Sequence, residues 1–291
     1  MNPHTHECDY FTNAVRAHLT TTSTKPCVYF ATTPDGTQVF VKGPYPNEIS
    51  VNKQLKVAEF KRAVDPELPS IDMEVVYMNT TPGFLECQFG LRTKCEGLGY
   101  FLVCKDVIQP LVDGPLPTKL RSSPKAWPTA VTVVDMEALF HLARHGWYDK
   151  SYENSIYLKE PEMAVQYVMH ILLSWACGCG ADLANSNFLL INGRCYHVNL
   201  AAWGCFNWNI SDSTPGSLRT YANRFLCRFV SERWDCFQVH LDRVNENWSM
   251  VGDGFDNHEI IGPRLKGLST LDGVLSAIQL KREKGVKRVH V

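Results

Sequence analysis

The stretch Ala181-Asp182-Leu183-Ala184-Asn185-Ser186-Asn187-Phe188-Leu189-Leu190 decides how this chain is read. An aspartate and an asparagine stand five positions apart and lead straight into an apolar run. A short Asn192-Gly193 turn follows, then a second apolar strand that ends at Val198. Asp and Asn both cap turns through their short side chains, so the pair taken alone fits a turn before a hairpin. The rest of the chain decides whether it is more than that.

Working outward toward the N-terminus, two β-rich runs flank Thr33-Pro34-Asp35-Gly36-Thr37, namely residues 28–32 and 38–42. Asp-Gly between such runs is a strong hairpin signal. The sequence predicts a helix opening at Pro46 and Asn47 and ending near Val64, where Asp65-Pro66 breaks it. Further strands are expected over 73–78, 84–89 and 100–107. The first half therefore reads as a small antiparallel sheet with one helix inserted after its third strand. The first 25 or so residues fit either a helix over 11–19 or an arm packed on that sheet.

Residues 109–128 shift to Pro, Ser, Gly and Lys, which marks a linker. Beyond it the character is helical. One helix is predicted from Met136 to near Gly146, and another opens at Pro161 with Val165, Val168, Leu172 and Trp175 at helical spacing. After the Asp182 hairpin, Thr214-Pro215 opens a long helical stretch toward Val230 or beyond, and a last helix is expected over 271–284. The expected class is α+β, with a β-rich lobe over residues 1–107 and a helical lobe over 108–291.

Bulk composition excludes several classes. A chain of 291 residues with 45% apolar and 20% charged residues has material for a substantial core. A net charge of -1 argues against nucleic acid as the main partner. No apolar run is long enough to cross a bilayer, and Met1 to Glu7 does not resemble a signal peptide. A cytoplasmic or nuclear location is expected. The eleven cysteines are odd in number and scattered, several within apolar patterns, which points to buried thiols rather than disulfides. Cys177 and Cys179 lack the companion pair that a zinc site needs.

This order of elements resembles the protein-kinase-like fold over roughly residues 30–245, with a small β lobe carrying one helix and a larger helical lobe. The resemblance makes Lys42 the lysine that grips the α- and β-phosphates of ATP. It makes Phe101 to Val107 the strand entering the hinge, with Cys104 as gatekeeper and Lys105 to Val107 offering backbone groups to adenine. Asp182 falls where the family has the base that accepts a substrate hydroxyl proton, and Asn187 where it has a magnesium ligand. Glu48 and Glu59 share one face of the predicted helix, since eleven residues are close to three turns. The family's usual spacing favours Glu59 as the partner of Lys42.

The departures from the family are specific. Asn199-Leu200-Ala201 stands where Asp-Phe-Gly is expected, and Cys179-Gly180-Ala181 replaces the His-Arg part of the catalytic motif. Thr20 to Lys25 occupies the place of the Gly-rich loop, and no Ala-Pro-Glu follows. Magnesium or manganese on ATP favours anionic oxygen, whereas Asn199 offers only a neutral carbonyl. The resemblance thus implies an eroded member, catalytically impaired, that acts through a protein partner, with nucleotide binding left open. Such erosion is common among kinase-like proteins of large DNA viruses, and a viral source is the matching expectation. The alternative is an atypical active phosphotransferase with a protein or, less so, a small-molecule substrate. There Asp182 would be the base, and Asn187 with Asn199 or another carboxylate would hold the metal.

Overall fold

The computed structural model describes residues 5–6, 12–16, 27–32, 35–45, 48–80, 97–105, 160–178, 188–191, 193–197 and 216–279. It is a mixed α+β architecture. Strands β1 (Thr5–His6), β2 (Thr12–Arg16), β3 (Cys27–Thr32), β4 (Gln38–Tyr45), β5 (Asp72–Thr80) and β6 (Gly97–Lys105) form one sheet in the order β1-β5-β6-β4-β3-β2. Neighbours from β2 through to β5 pair antiparallel, and β1 adds to β5 in parallel.

The β3–β4 hairpin forms where Asp35-Gly36 places it. Gly36 adopts φ +84°, a conformation that costs glycine little, and the Thr37 amide donates to Asp35 Oδ1 at 3.2 Å. Strand β6 lies between β4 and β5, and its run Phe101, Leu102, Val103 and Cys104 is buried throughout. Such continuous burial is what an apolar run without alternation produces. Gly43 makes room for this strand: a Cβ there would stand 2.5 Å from Phe101 Cδ1.

Helix α1 (Glu48–Val64) follows β4 and precedes β5. Its buried stripe of Val51, Gln54, Ala58 and Lys61 recurs every three or four residues. Val51 joins Tyr45 and Leu102 in a cluster against which Val75 and Tyr100 pack.

The chain divides into two compact units, one of residues 1–55 and 71–131, the other of 56–70 and 132–291. Residues 56–70 group with the helical part. The reason is visible within that second unit. Phe60 meets Trp248 and Phe255 edge-on, the Asn247 amide donates to Val64 O, and Asp65 accepts from Arg243 and His240.

The second unit contains α2 (Pro161–Ala176), a hairpin of β7 (Phe188–Ile191) and β8 (Arg194–His197), α3 (Gly216–Glu232) and α4 (Trp234–Val251). A 3₁₀ turn over Gly252–Gly254, α5 (His258–Gly267) and α6 (Leu271–Gln279) complete it. Twelve of the sixteen residues of α2 are buried, so it is a core helix rather than an amphipathic surface one. Gly193 turns the β7–β8 hairpin at φ +76°.

Of the two alternatives for the N-terminal segment, residues 12–16 follow the arm packed on the sheet and not the helix over 11–19, since they form a strand paired with β3. Helix α5 was not foreseen, since Gly262-Pro263 reads as a break. Here Gly262 lies against Trp248, with Nε1 3.1 Å from where a Cβ would be, and Pro263 is accommodated inside the helix. The strand expected over 84–89, the linker and the helix over 136–146 lie outside the described residues.

Candidate functional site

Strand β4 carries Lys42 beside β6, where it lies in register with Leu102. Its ammonium is 3.4 Å from Gln54 Oε1 on α1, and Gln54 Nε2 in turn donates to the Tyr45 hydroxyl at 2.9 Å. Gln54 is fully buried and Lys42 is partly exposed. Burial brings the Lys42 amine down to about 8, partly offset by the neighbouring Cys104 sulfur. Burial also pushes the Cys104 thiol up to about 12, against the pull of Lys42. Tyr45 is likewise raised by burial, in spite of its hydrogen bond from Gln54. At neutral pH these four side chains are therefore an ammonium ion with a neutral amide, a phenol and a thiol near it.

The residue of α1 that reaches Lys42 is Gln54 and not Glu59. Five residues along a helix turn Glu59 by about 140° round the axis, and its carboxylate is exposed. Glu48, in the first turn, is also exposed and accepts from Asn52 Nδ2 at 3.2 Å. The signal that identifies Gln54 was present in the sequence as the three-and-four spacing of Val51, Gln54, Ala58 and Lys61. It went unread because a search for a carboxylate skips an amide.

Of the other expected site residues, Lys105 is the last residue of β6, opposite Asp72. Val107, Asp182, Asn187 and Asn199 lie outside the described residues. Around them, however, the flanking elements are well defined. Helix α2 ends at Ala176, four residues after which the Asp182 loop begins in sequence. Arg264 of α5 donates to Trp175 O and Ala176 O at 3.3 and 3.4 Å, and its guanidinium lies 5.8 Å from the centre of the Trp175 ring. Those carbonyls are among the last of the helix, which lack partners within it, so Arg264 acts as a cap from outside.

On the other side of the loop, β8 is pinned by α2. Gln166 Oε1 accepts from the Cys195 amide at 2.8 Å, and His170 Nε2 donates to Cys195 O at 2.9 Å. His197, buried at the end of β8, accepts through Nδ1 from the Lys61 ammonium at 2.9 Å, and the His170 and His197 rings meet edge-on at 5.9 Å. These bonds assign the proton of neutral His197 to Nε2 and that of neutral His170 to Nε2 as well. Burial, reinforced by Lys61, holds the His170 imidazole well below its usual range. None of Gln54, Lys61 and His170 had been singled out as a site residue.

Among the described residues no group of three or more His, Cys, Asp or Glu is placed to hold a metal, and no helix is long and apolar enough to cross a membrane. Cys104, Cys177 and Cys195 are buried free thiols, whereas Cys227 is half-buried and Cys236 exposed. The chain matches no protein-family model, and no curated protein matches it in sequence.

Proposed function

We propose that this chain is a diverged kinase-like protein, impaired in phosphoryl transfer, that acts by binding a protein partner and retains at most weakened nucleotide binding. The observation that carries the reading is the pairing of Lys42 with Gln54. In the kinase arrangement a strand lysine holds ATP phosphates while a helix glutamate fixes the lysine. Here a strand lysine meets the following helix, but through a neutral amide. Support also comes from the antiparallel run β2-β3-β4-β6-β5 with its helix between β4 and β5, and from a hairpin after the Asp182 loop.

The chemistry of the donors fits an anion at Lys42 and fits a metal poorly. An ammonium attracts phosphate, and at about 8 its amine is still mostly protonated at neutral pH. Asn187 and Asn199 would supply neutral carbonyls to magnesium, a weak set for a hard dication. When bound, ATP would supply the transferable phosphoryl group; this chain would contribute Lys42 to hold it and Asp182 as the base the resemblance implies.

The test is a melting-temperature series with ATP, alone and with magnesium or manganese, on the natural chain, Lys42→Ala and Asp182→Ala. The expected result is a small rise with ATP that metal does not enlarge and that Lys42→Ala abolishes. A saturating ligand at a hundred times Kd stabilises by about 2.7 kcal/mol, so a shift of that size that metal strengthens contradicts the reading.

A further inference from the structure

We infer that the cavity between the second half of α1 and the turn after α4 is a binding site for a small organic ammonium ion with an aromatic or apolar body. It lies wholly within the helical unit and rests on none of the kinase-like features. Its volume is about 300 Å³, and Val57, Phe60, Phe255 and Ile261 form apolar walls. That size is the lower end of the range for small-molecule pockets, room for one ring and a short arm.

The walls are fixed in place. Phe60 is buried and meets the rings of Trp248 and Phe255 edge-on at 6.0 and 5.7 Å, while Trp248 and Phe255 stack at 5.9 Å. Phe60 and Phe255 thus give the cavity fixed aromatic walls, a kind of lining that attracts a desolvated ammonium.

Charge at the opening has a defined sign. Among the described residues three ionised side chains line the cavity, Lys56, Glu59 and Asp256, and all are exposed. Lys56 bonds Asp256 at 2.5 Å, and this contact holds the Asp256 carboxyl below the usual carboxylate range. Those two charges offset each other. Glu59 has no hydrogen-bond or ion-pair partner among the described residues, which leaves one surplus carboxylate over an aromatic hollow. An anion would be repelled there, and a neutral hydrocarbon would leave Glu59 unused. The complement is a cation with an apolar body. Glu59, turned away from Lys42, has its use here.

The test is calorimetric titration of the full chain with phenethylammonium, 2-phenylethanol and phenylacetate. They share a ring and arm and differ in charge. The ammonium should bind best, the alcohol less well and the carboxylate least, with added salt weakening the ammonium only. Glu59→Gln should weaken the ammonium by about three- to fivefold, the scale of an exposed charge contact. Lys56→Met should instead tighten it by a similar factor, because Asp256 is then released to face the ligand. Both positions are exposed, so both variants keep the fold. No binding of any probe, equal binding of all three, or the two variants changing affinity in the same direction would each overturn the assignment.

Discussion

Lys42 in the sheet unit and Lys61 in the helical unit both donate to a neutral partner, Gln54 Oε1 at 3.4 Å and His197 Nδ1 at 2.9 Å. Their settings differ in the one respect that decides their use. Lys61 is 1% exposed and joins the second half of α1 to the end of β8. Lys42 is partly exposed, and its bond to the Gln54 amide is longer, at 3.4 Å. A sealed lysine in a short hydrogen bond is part of the packing, since removing it strands its partner. A partly exposed lysine in a longer hydrogen bond is less tightly built into the packing.

The largest effect expected from this contrast is on stability. Lys61→Ala removes a buried stem and the donor to His197, and should lower the unfolding free energy by about 3 kcal/mol. Lys42→Ala should change it by no more than about 1 kcal/mol, since truncation there also relieves a desolvated charge. Urea denaturation of the two variants checks this, and equal losses would erase the distinction.

A smaller, pH-dependent effect separates the same two regions. His170 binds its proton less readily in the fold than in the unfolded chain, whose histidines titrate near 6.5. Below that pH the unfolded state takes up more protons, so the stability contribution of neutral His170 is lost as pH falls from 6.5 toward the folded value. Lys42 acts at the other end. Its amine titrates near 8 in the fold and near 10.5 when unfolded, so its destabilising cost is full below pH 8 and fades as pH rises to 10.5. Urea midpoints measured across pH should show an acid loss that is reduced in His170→Gln and an alkaline gain that is absent in Lys42→Met. The same profile in all three chains would remove both assignments.

Local signals in the sequence were strong where one residue type decides a conformation. Asp35-Gly36 and Asn192-Gly193 gave their hairpins, and Pro161 gave the start of α2, because φ and missing donors are properties of single residues. The strand Thr12–Arg16 was illegible because Thr-Asn-Ala-Val-Arg has no clear alternation and pairs only because β3 offers an edge. Helix α5 was hidden by Gly262-Pro263, whose cost the tertiary contact with Trp248 offsets. At the candidate site, Lys42 stands out in the sequence by its place after the hairpin. Its partner does not, since only the helix phase relative to the sheet separates Gln54 from Glu59. The polar residues Lys61 and His170 read as surface and helix-face residues until tertiary packing enclosed them.

The proposal places Lys42 and Asp182 in an eroded phosphoryl-transfer site. The most direct measurement is transfer of the terminal phosphate of ATP, with magnesium and with manganese, to the chain itself and to a generic protein substrate. It is made on the natural chain, Asp182→Ala, and the double variant Gln54→Glu with Asn199→Asp. The expected result is no transfer by the natural chain beyond the Asp182→Ala background, and measurable metal-dependent transfer once the two carboxylates are supplied. Metal-dependent transfer by the natural chain that disappears in Asp182→Ala would contradict it.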